Sequence, residues 1–307
     1  MASRSSNRVN VAIRRMAKRG LIAFACLLLL GLGALFGAGE YLSSPARRQI
    51  GAAPADFPAS SVTINTVTGP VMGWMVRGTP GAGMVLLLHG VRGNRLHMLG
   101  RARFLSRLGY GVLLIDQQAH GESAGERISF GVREADGVRA ALAYLRREQP
   151  GERIGVIGMS LGAAALVLSK PGRGIDALVI EAMYPTIEEA IENRLRLHLG
   201  SAGGALAPLL LWQVPPRLDL TLDQLRPIDA VGALACPTLV VGGEKDEHTS
   251  EAETRRIYAA APEPKQLWIV AGAAHTDFHG VATGEYEMRI GQFMLEHLHA
   301  SRNSAMQ

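Results

Sequence analysis

The stretch Arg153-Ile-Gly-Val-Ile-Gly-Met-Ser-Leu-Gly162 limits the possible folds of this 307-residue chain more than any other part of it. Ile154, Val156 and Ile157 make a short apolar run rich in β-branched residues, the composition of a strand buried on both faces. Gly158-Met159-Ser160-Leu161-Gly162 follows at once, and Ala163 to Leu168 then reads as helix. A serine between two glycines, on a turn from strand to helix, has its hydroxyl lifted clear of the sheet. The glycines are needed because side chains beside so tight a turn would collide. The pattern by itself carries little weight, since a chain with 36 Gly gives about 0.2 such matches by chance. Its meaning comes from the strand before it, the helix after it and residues elsewhere.

The rest of the chain keeps the same rhythm. Ser61–Val67 and Val71–Val76 flank a Gly69-Pro70 turn and read as an antiparallel hairpin. Met84–Leu88 is a buried strand ending in His89-Gly90. Asn94–Leu108 fits a helix, Gly111–Asp116 a strand, and Phe130–Arg147 a helix with Val132, Ala135, Val138, Ala141, Leu142 and Leu145 on one stripe. After the serine turn come strands at Ala177–Glu181, Thr238–Val241 and Gln266–Val270, and a final helix near Glu285–His297. Residues from about 184 to 227 break the alternation and read as an inserted cap. Alternating buried strands and helices imply an α/β architecture, a mostly parallel sheet of about eight strands with helices on both faces.

The N-terminus is organised differently. Residues 1–19 carry Arg4, Arg8, Arg14, Arg15, Lys18 and Arg19 and no acid. The chain's net charge of +5 is therefore a property of this basic tail, and the remainder gives no electrostatic reason to bind nucleic acid. Residues 20–39 form an uncharged run that includes Leu27–Leu30. Twenty apolar residues at about 1.5 Å each span about 30 Å, the thickness of a bilayer core. Basic residues on its N-terminal flank predict a single-pass anchor with a cytoplasmic N-terminus and the remaining chain outside, in the periplasm if the source is bacterial. A cleaved signal segment is the alternative, and it exports the body equally. Residues 40–60, with Pro45, Pro54 and Pro58, read as an extended linker to a domain over 61–300. The two cysteines, Cys26 in the apolar run and Cys236 before a late strand, predict no internal disulfide.

A serine hydroxyl needs a base to act as a nucleophile at neutral pH, and the base needs an acid to fix its tautomer. Gly242-Gly-Glu-Lys-Asp246 follows one late strand and Ala271-Gly-Ala-Ala-His275 the next. With Leu-Leu-His-Gly at 87–90, Asp116 and Gly121-Glu-Ser123, these motifs make residues 61–300 resemble the α/β-hydrolase superfamily, especially its exported lipase/esterase-like and serine-aminopeptidase-like members. The resemblance implies Ser160 as nucleophile, Asp246 as orienting acid, His275 as general base, and the backbone N–H groups of Val91 and Leu161 as oxyanion donors. It implies a structural role for His89, in support of the oxyanion loop. His120 departs from the Arg-Gly-x-Gly-x-Ser that the family often has at this point. Glu244 and Glu247 compete with Asp246, and His248 and His279 with His275, but the position after the strand favours the residues named first.

The reaction this implies is cleavage of a carboxylic ester, on a small-molecule or lipid substrate, through an acyl-enzyme. A peptidase or thioesterase would use the same machinery, and a non-catalytic binding protein could use the same fold. Leu206, Leu209, Leu210, Leu211 and Trp212 in the cap suggest an apolar acyl binder, or simply the packing of the cap. No cofactor is expected. Gly155-x-x-Gly158-x-x-x-Gly162 is not a dinucleotide fingerprint, and no cluster has metal-ligand spacing.

Overall fold

Strands form where β-branched and apolar residues run together. They are β1 (Ala46–Arg47), β2 (Ser60–Ile64), β3 (Val71–Val76), β4 (Met84–Leu88), β5 (Gly111–Ile115), β6 (His120–Gly121), β7 (Ile154–Met159), β8 (Ala177–Glu181), β9 (Thr238–Gly243) and β10 (Lys265–Val270). The helices are α1 (Ala2–Ser43), α2 (Leu99–Arg107), α3 (Glu134–Glu148), α4 (Leu161–Leu168), α5 (Ile187–Leu199), α6 (Ala207–Leu211), α7 (Val214–Leu218), α8 (Ile228–Val231), α9 (Glu251–Ala260), α10 (Phe278–Val281) and α11 (Thr283–Leu298). The computed structural model describes the backbone of residues 2–299 and the side chains of residues 14–299. The Arg4 and Arg8 side chains of the basic tail, and residue 300 at the expected domain end, lie outside the described residues.

The chain divides into residues 1–42 and residues 43–307. The first unit is α1. Its Arg14–Ser43 segment, 30 residues long, contains an 18-residue window with a mean hydropathy of 2.5 and none of it buried, and is long and apolar enough to cross a membrane.

The second unit is built on an eight-stranded sheet in the order β10-β9-β8-β7-β4-β5-β3-β2. Neighbours from β10 to β5 run parallel, and the β2–β3 hairpin closes one edge antiparallel. Parallel strands with both faces covered need apolar residues at every position, and β4, β5 and β8 are buried throughout. Alternate residues serve opposite layers. Met84, Leu86 and Leu88 pack with Val138, Leu142 and Leu145 of α3 and with the alanines of α4. Val85 and Leu87 pack with Phe104 and Leu105 of α2 and with Tyr286, Ile290, Phe293 and Met294 of α11.

Three segments differ from the sequence reading. The helix expected from Phe130 begins at Glu134, because the Glu134 carboxylate accepts the N–H groups of Ser129 and Gly131 (both 2.9 Å) and closes a turn with Phe130 at φ 53°. α9 lies in a stretch the apolar pattern left unassigned; Ser250 and Glu253 form a reciprocal capping box at its start. Residues 44–60 are extended but lie along the domain. β1 pairs in parallel with β6, Phe57 is buried, and the Glu122 carboxylate accepts the N–H groups of Ile50 and Gly51 at 2.9 Å.

Candidate active site

The serine turn is fixed by backbone sterics. A Cβ on Gly162 would stand 2.4 Å from the Leu88 carbonyl oxygen, and one on Gly158 would stand 2.7 Å from Ala163. Both approaches are below any real contact, so only glycine fits between β7, α4 and the end of β4. Ser160 itself sits at φ 50°, ψ −112°, strain that its surroundings impose. Its N–H donates to the Glu181 carbonyl (2.8 Å), which ties the turn to the end of β8. The turn at Gly90 faces it, and a Cβ there would lie 3.7 Å from Ser160 Cβ. Leu88 is in register with Gly158, so the loop after β4 reaches the same edge of the sheet.

The N–H groups of Val91 and Leu161 have no acceptor among the described residues. Leu161 opens α4, where the helix dipole adds partial positive charge. The Val91 and Leu161 side chains pack with Ala119 and Ile128, which fixes both loops from below.

His89 holds this corner. Its Nδ1 faces the Gly90 carbonyl (2.8 Å), which can only accept, so Nδ1 carries the proton and Nε2 accepts the Gln117 N–H at 3.0 Å. Burial, with nearby His120, pushes its pKa well below the ordinary histidine value. Both nitrogens are thus engaged in positioning the loop, as the resemblance implied. His120 directs Nδ1 to the Gln118 carbonyl (2.8 Å) and leaves Nε2 buried with no partner. Behind this corner Asp116 accepts the backbone N–H groups of Arg95 (2.7 Å) and Glu122 (2.9 Å) and the Arg95 guanidinium (2.5 Å). Gly121 is required here, for its Cβ would meet the Asp116 carboxyl at 2.2 Å.

Asp246 and His275 come together at the ends of β9 and β10. His275 Nδ1 donates to Asp246 Oδ2 at 2.8 Å. The carboxylate only accepts, so the proton of a neutral His275 lies on Nδ1 and Nε2 is its basic nitrogen. Asp246 Oδ1 accepts the N–H groups of His248 and Thr249, both at 2.8 Å, and the residue is buried. Glu244 and Glu247 are exposed. No hydrogen bond joins the Ser160 hydroxyl to His275 among the described residues; such contacts are often long before substrate arrives.

The competing histidines separate. His279 pairs with Glu287 (3.1 Å) and stacks on Phe104. His248 lies beside the site, its ring centroid 5.0 Å from that of His275. Burial, then the charge of Arg194 and of His275, lowers its pKa to about 4, so it is neutral at neutral pH.

The cap adds residues that periodicity did not single out. Tyr184 donates its hydroxyl to the Phe130 carbonyl (2.7 Å). Asn193 of α5 donates to the His248 carbonyl (3.2 Å) and to Glu253 (2.9 Å). The cap leucines divide. Leu210 and Leu211 are buried, whereas Leu206, Leu209 and Trp212 are exposed, Trp212 at 78%. A second buried network, Arg101 with Glu181 (2.6 Å) and Asp277 (2.5 Å), lies behind Ser160's β8 partner and carried no sequence signal.

Comparison with known proteins agrees with this architecture. The chain is 23% identical over 214 residues to the uncharacterized protein YqkD of Bacillus subtilis, covering 68% of this chain and 70% of that protein. It is 29% identical over 239 residues to the uncharacterized protein Rv2307c of Mycobacterium tuberculosis, covering 76% and 78%. Among solved structures, the Pyrococcus furiosus esterase Pf2001 superimposes with a TM-score of 0.71 at 23% identity, over 84% of this chain and 98% of that one. An esterase from Exiguobacterium antarcticum gives 0.58 at 13% identity, over 76% and 99%. At such identities these likenesses speak for the fold. Residues 85–283 match the model of the alpha/beta hydrolase family, a span from β4 to the start of α11. With two thirds of the chain matched and the fold in agreement, the protein belongs to the alpha/beta hydrolase family.

Proposed function

We propose that this alpha/beta hydrolase is a serine esterase that works through an acyl-enzyme, with Ser160, His275 and Asp246 as its triad. The observation that carries the reading is the 2.8 Å bond from His275 Nδ1 to Asp246, which leaves Nε2 as a base on the sheet edge that also carries the serine turn. Ser160 Oγ attacks the ester carbonyl and His275 Nε2 takes its proton. The N–H groups of Val91 and Leu161 receive the oxyanion, each worth about 2.7–4 kcal/mol in the transition state. His275 then protonates the leaving alcohol, and water repeats the sequence to release the acid. The length and composition of α1 support a membrane anchor, and the basic residues 1–19 support a cytoplasmic N-terminus with the hydrolase unit on the far side.

A fluorophosphonate probe tests the nucleophile. Wild-type protein labels and Ser160→Ala does not, while both unfold at similar temperatures. Equal labelling of the two would remove Ser160 from the role, and no labelling of folded wild type would favour a binding protein on this fold. Matched ester, thioester and aminoacyl amide substrates separate the esterase reading from its thioesterase and peptidase alternatives.

A further inference from the structure

The cap carries a guanidinium, that of Arg194, with no carboxylate partner among the described residues. Arg194 follows Asn193, whose amide bonds to the His248 carbonyl and to Glu253 fasten α5 to the loop that holds Asp246. Arg196 and Arg226 of the cap are in ion pairs, with Glu192 and Asp229, and Arg217 donates to Gln213. Arg194 makes no hydrogen bond or salt bridge among the described residues, although it is partly buried. The charge that acts on it is that of Asp246, and its own charge is felt at His248. Burial pulls its pKa below the ordinary arginine range. A half-buried cation without a counter-ion keeps its donors open to an anion that enters from solvent.

We propose that Arg194 binds a single negative charge carried on the alcohol portion of the ester substrate. This rests on the esterase reading above and names its substrate class. The side of the substrate follows from the chemistry. His275 hands its proton to the leaving oxygen, so the alcohol lies on the His275 side, and that side is lined by His248, within the field of Arg194. The count of charges follows from Asp246, which already acts on the same guanidinium and disfavours a dianion. A carboxylate and a phosphodiester both match the planar guanidinium fork. They correspond to two sources, a soluble hydroxyacid ester and an anionic glycerolipid.

The test uses the full chain and two substrate pairs. Phenyl butyrate is compared with 4-carboxyphenyl butyrate, and dibutyroylglycerol with dibutyroylphosphatidylglycerol. For each pair the charged-to-neutral ratio of kcat/KM is measured in wild type, Arg194→Met and Arg194→Lys. Comparing ratios between variants cancels the intrinsic reactivity of each ester. Arg194→Met is expected to lower the ratio by about tenfold to hundredfold in one pair, and the responding pair identifies the anion. Arg194→Lys retains part of it, because lysine keeps the charge and loses the fork. Arg196→Met, on an exposed residue paired with Glu192, leaves both ratios unchanged. Equal losses on charged and neutral esters, or ratios unchanged in both pairs, would overturn the assignment. Fluorophosphonate labelling tells the two failures apart. A wild type that labels and turns over esters with unaltered ratios defeats Arg194 alone. One that neither labels nor hydrolyses any of the four defeats the esterase reading, and the Arg194 assignment with it.

Discussion

The rim of the sheet and the cap above it are specified in opposite ways. At the rim each candidate group sits where backbone geometry allows one arrangement. Gly162 packs against a carbonyl with no room for a methyl group, and Asp246 is held by two N–H groups and an imidazole. The cap is assembled from α5, from the five-residue helices α6 and α7 with the proline pair Pro215-Pro216, and from side-chain ties to the body such as Asn193 to His248. It has close approaches of its own: Gly200, where α5 ends, has φ 75°, and a Cβ on Gly203 would stand 2.2 Å from the Leu195 carbonyl oxygen. The rim is thus fixed by close backbone approaches around the candidate site, whereas the cap is fastened to the body by a few side-chain bonds.

Substitutions can break this contrast, and the largest effect belongs to the rim. Asp246→Asn is expected to lower kcat by about 10⁴-fold with the fold intact, because an amide favours the wrong imidazole tautomer; steady-state ester hydrolysis measures it, and a loss below tenfold would remove Asp246 from the triad. Gly162→Ala drives a methyl group toward the Leu88 carbonyl and is expected to destabilise the domain by about 1–3 kcal/mol, read by denaturant unfolding, with activity falling as the turn opens.

A smaller effect concerns the seam between the regions. His248 titrates at about 4 in the folded chain, below the ordinary value of about 6.5 for an unfolded one. Between these values the unfolded chain binds the proton and the folded chain does not, so stability declines as pH falls from about 6.5 to 4. His248→Gln is expected to flatten that part of the stability profile, and an unchanged slope would mean that other groups dominate it. The smallest effect belongs to the outer cap. Trp212→Ser removes an exposed side chain and is expected to alter stability by less than about 0.5 kcal/mol in a thermal melt. A larger drop would show that this face is covered in solution.

The same division decided what the sequence disclosed. Apolar runs located all eight strands of the main sheet, because a parallel sheet needs unbroken apolar runs and the Gly69-Pro70 turn marks the hairpin. The serine turn and the loops at 246 and 275 were legible for the same reason, since each directly follows such a run. The start of α3 was misjudged, because the Glu134 carboxylate turns Ser129 to Gly131 back on themselves and periodicity does not register a carboxylate's reach. α9 was missed because it is mostly polar, although Ser250 and Glu253 announce its cap. Arg194 was invisible, since one arginine on an amphipathic helix looks like any solvated residue until it is seen to have no counter-ion among the described residues. The buried pair of Arg101 and Glu181 was equally silent, because its members lie 80 residues apart in the chain.

The clasp at the domain's entry has a mechanical meaning. Ser43 takes the Ile128 N–H on its carbonyl at 2.8 Å, Ala46 and Arg48 bond to the 119–121 loop, and Glu122 grips Ile50 and Gly51. Tension arriving along the backbone from α1 meets these bonds, with those of Arg47 to Gly125 and Arg95 to Gly51 beside them, before it reaches the large sheet. Those bonds would take the load first, as a fuse does, ahead of the sheet that carries Ser160.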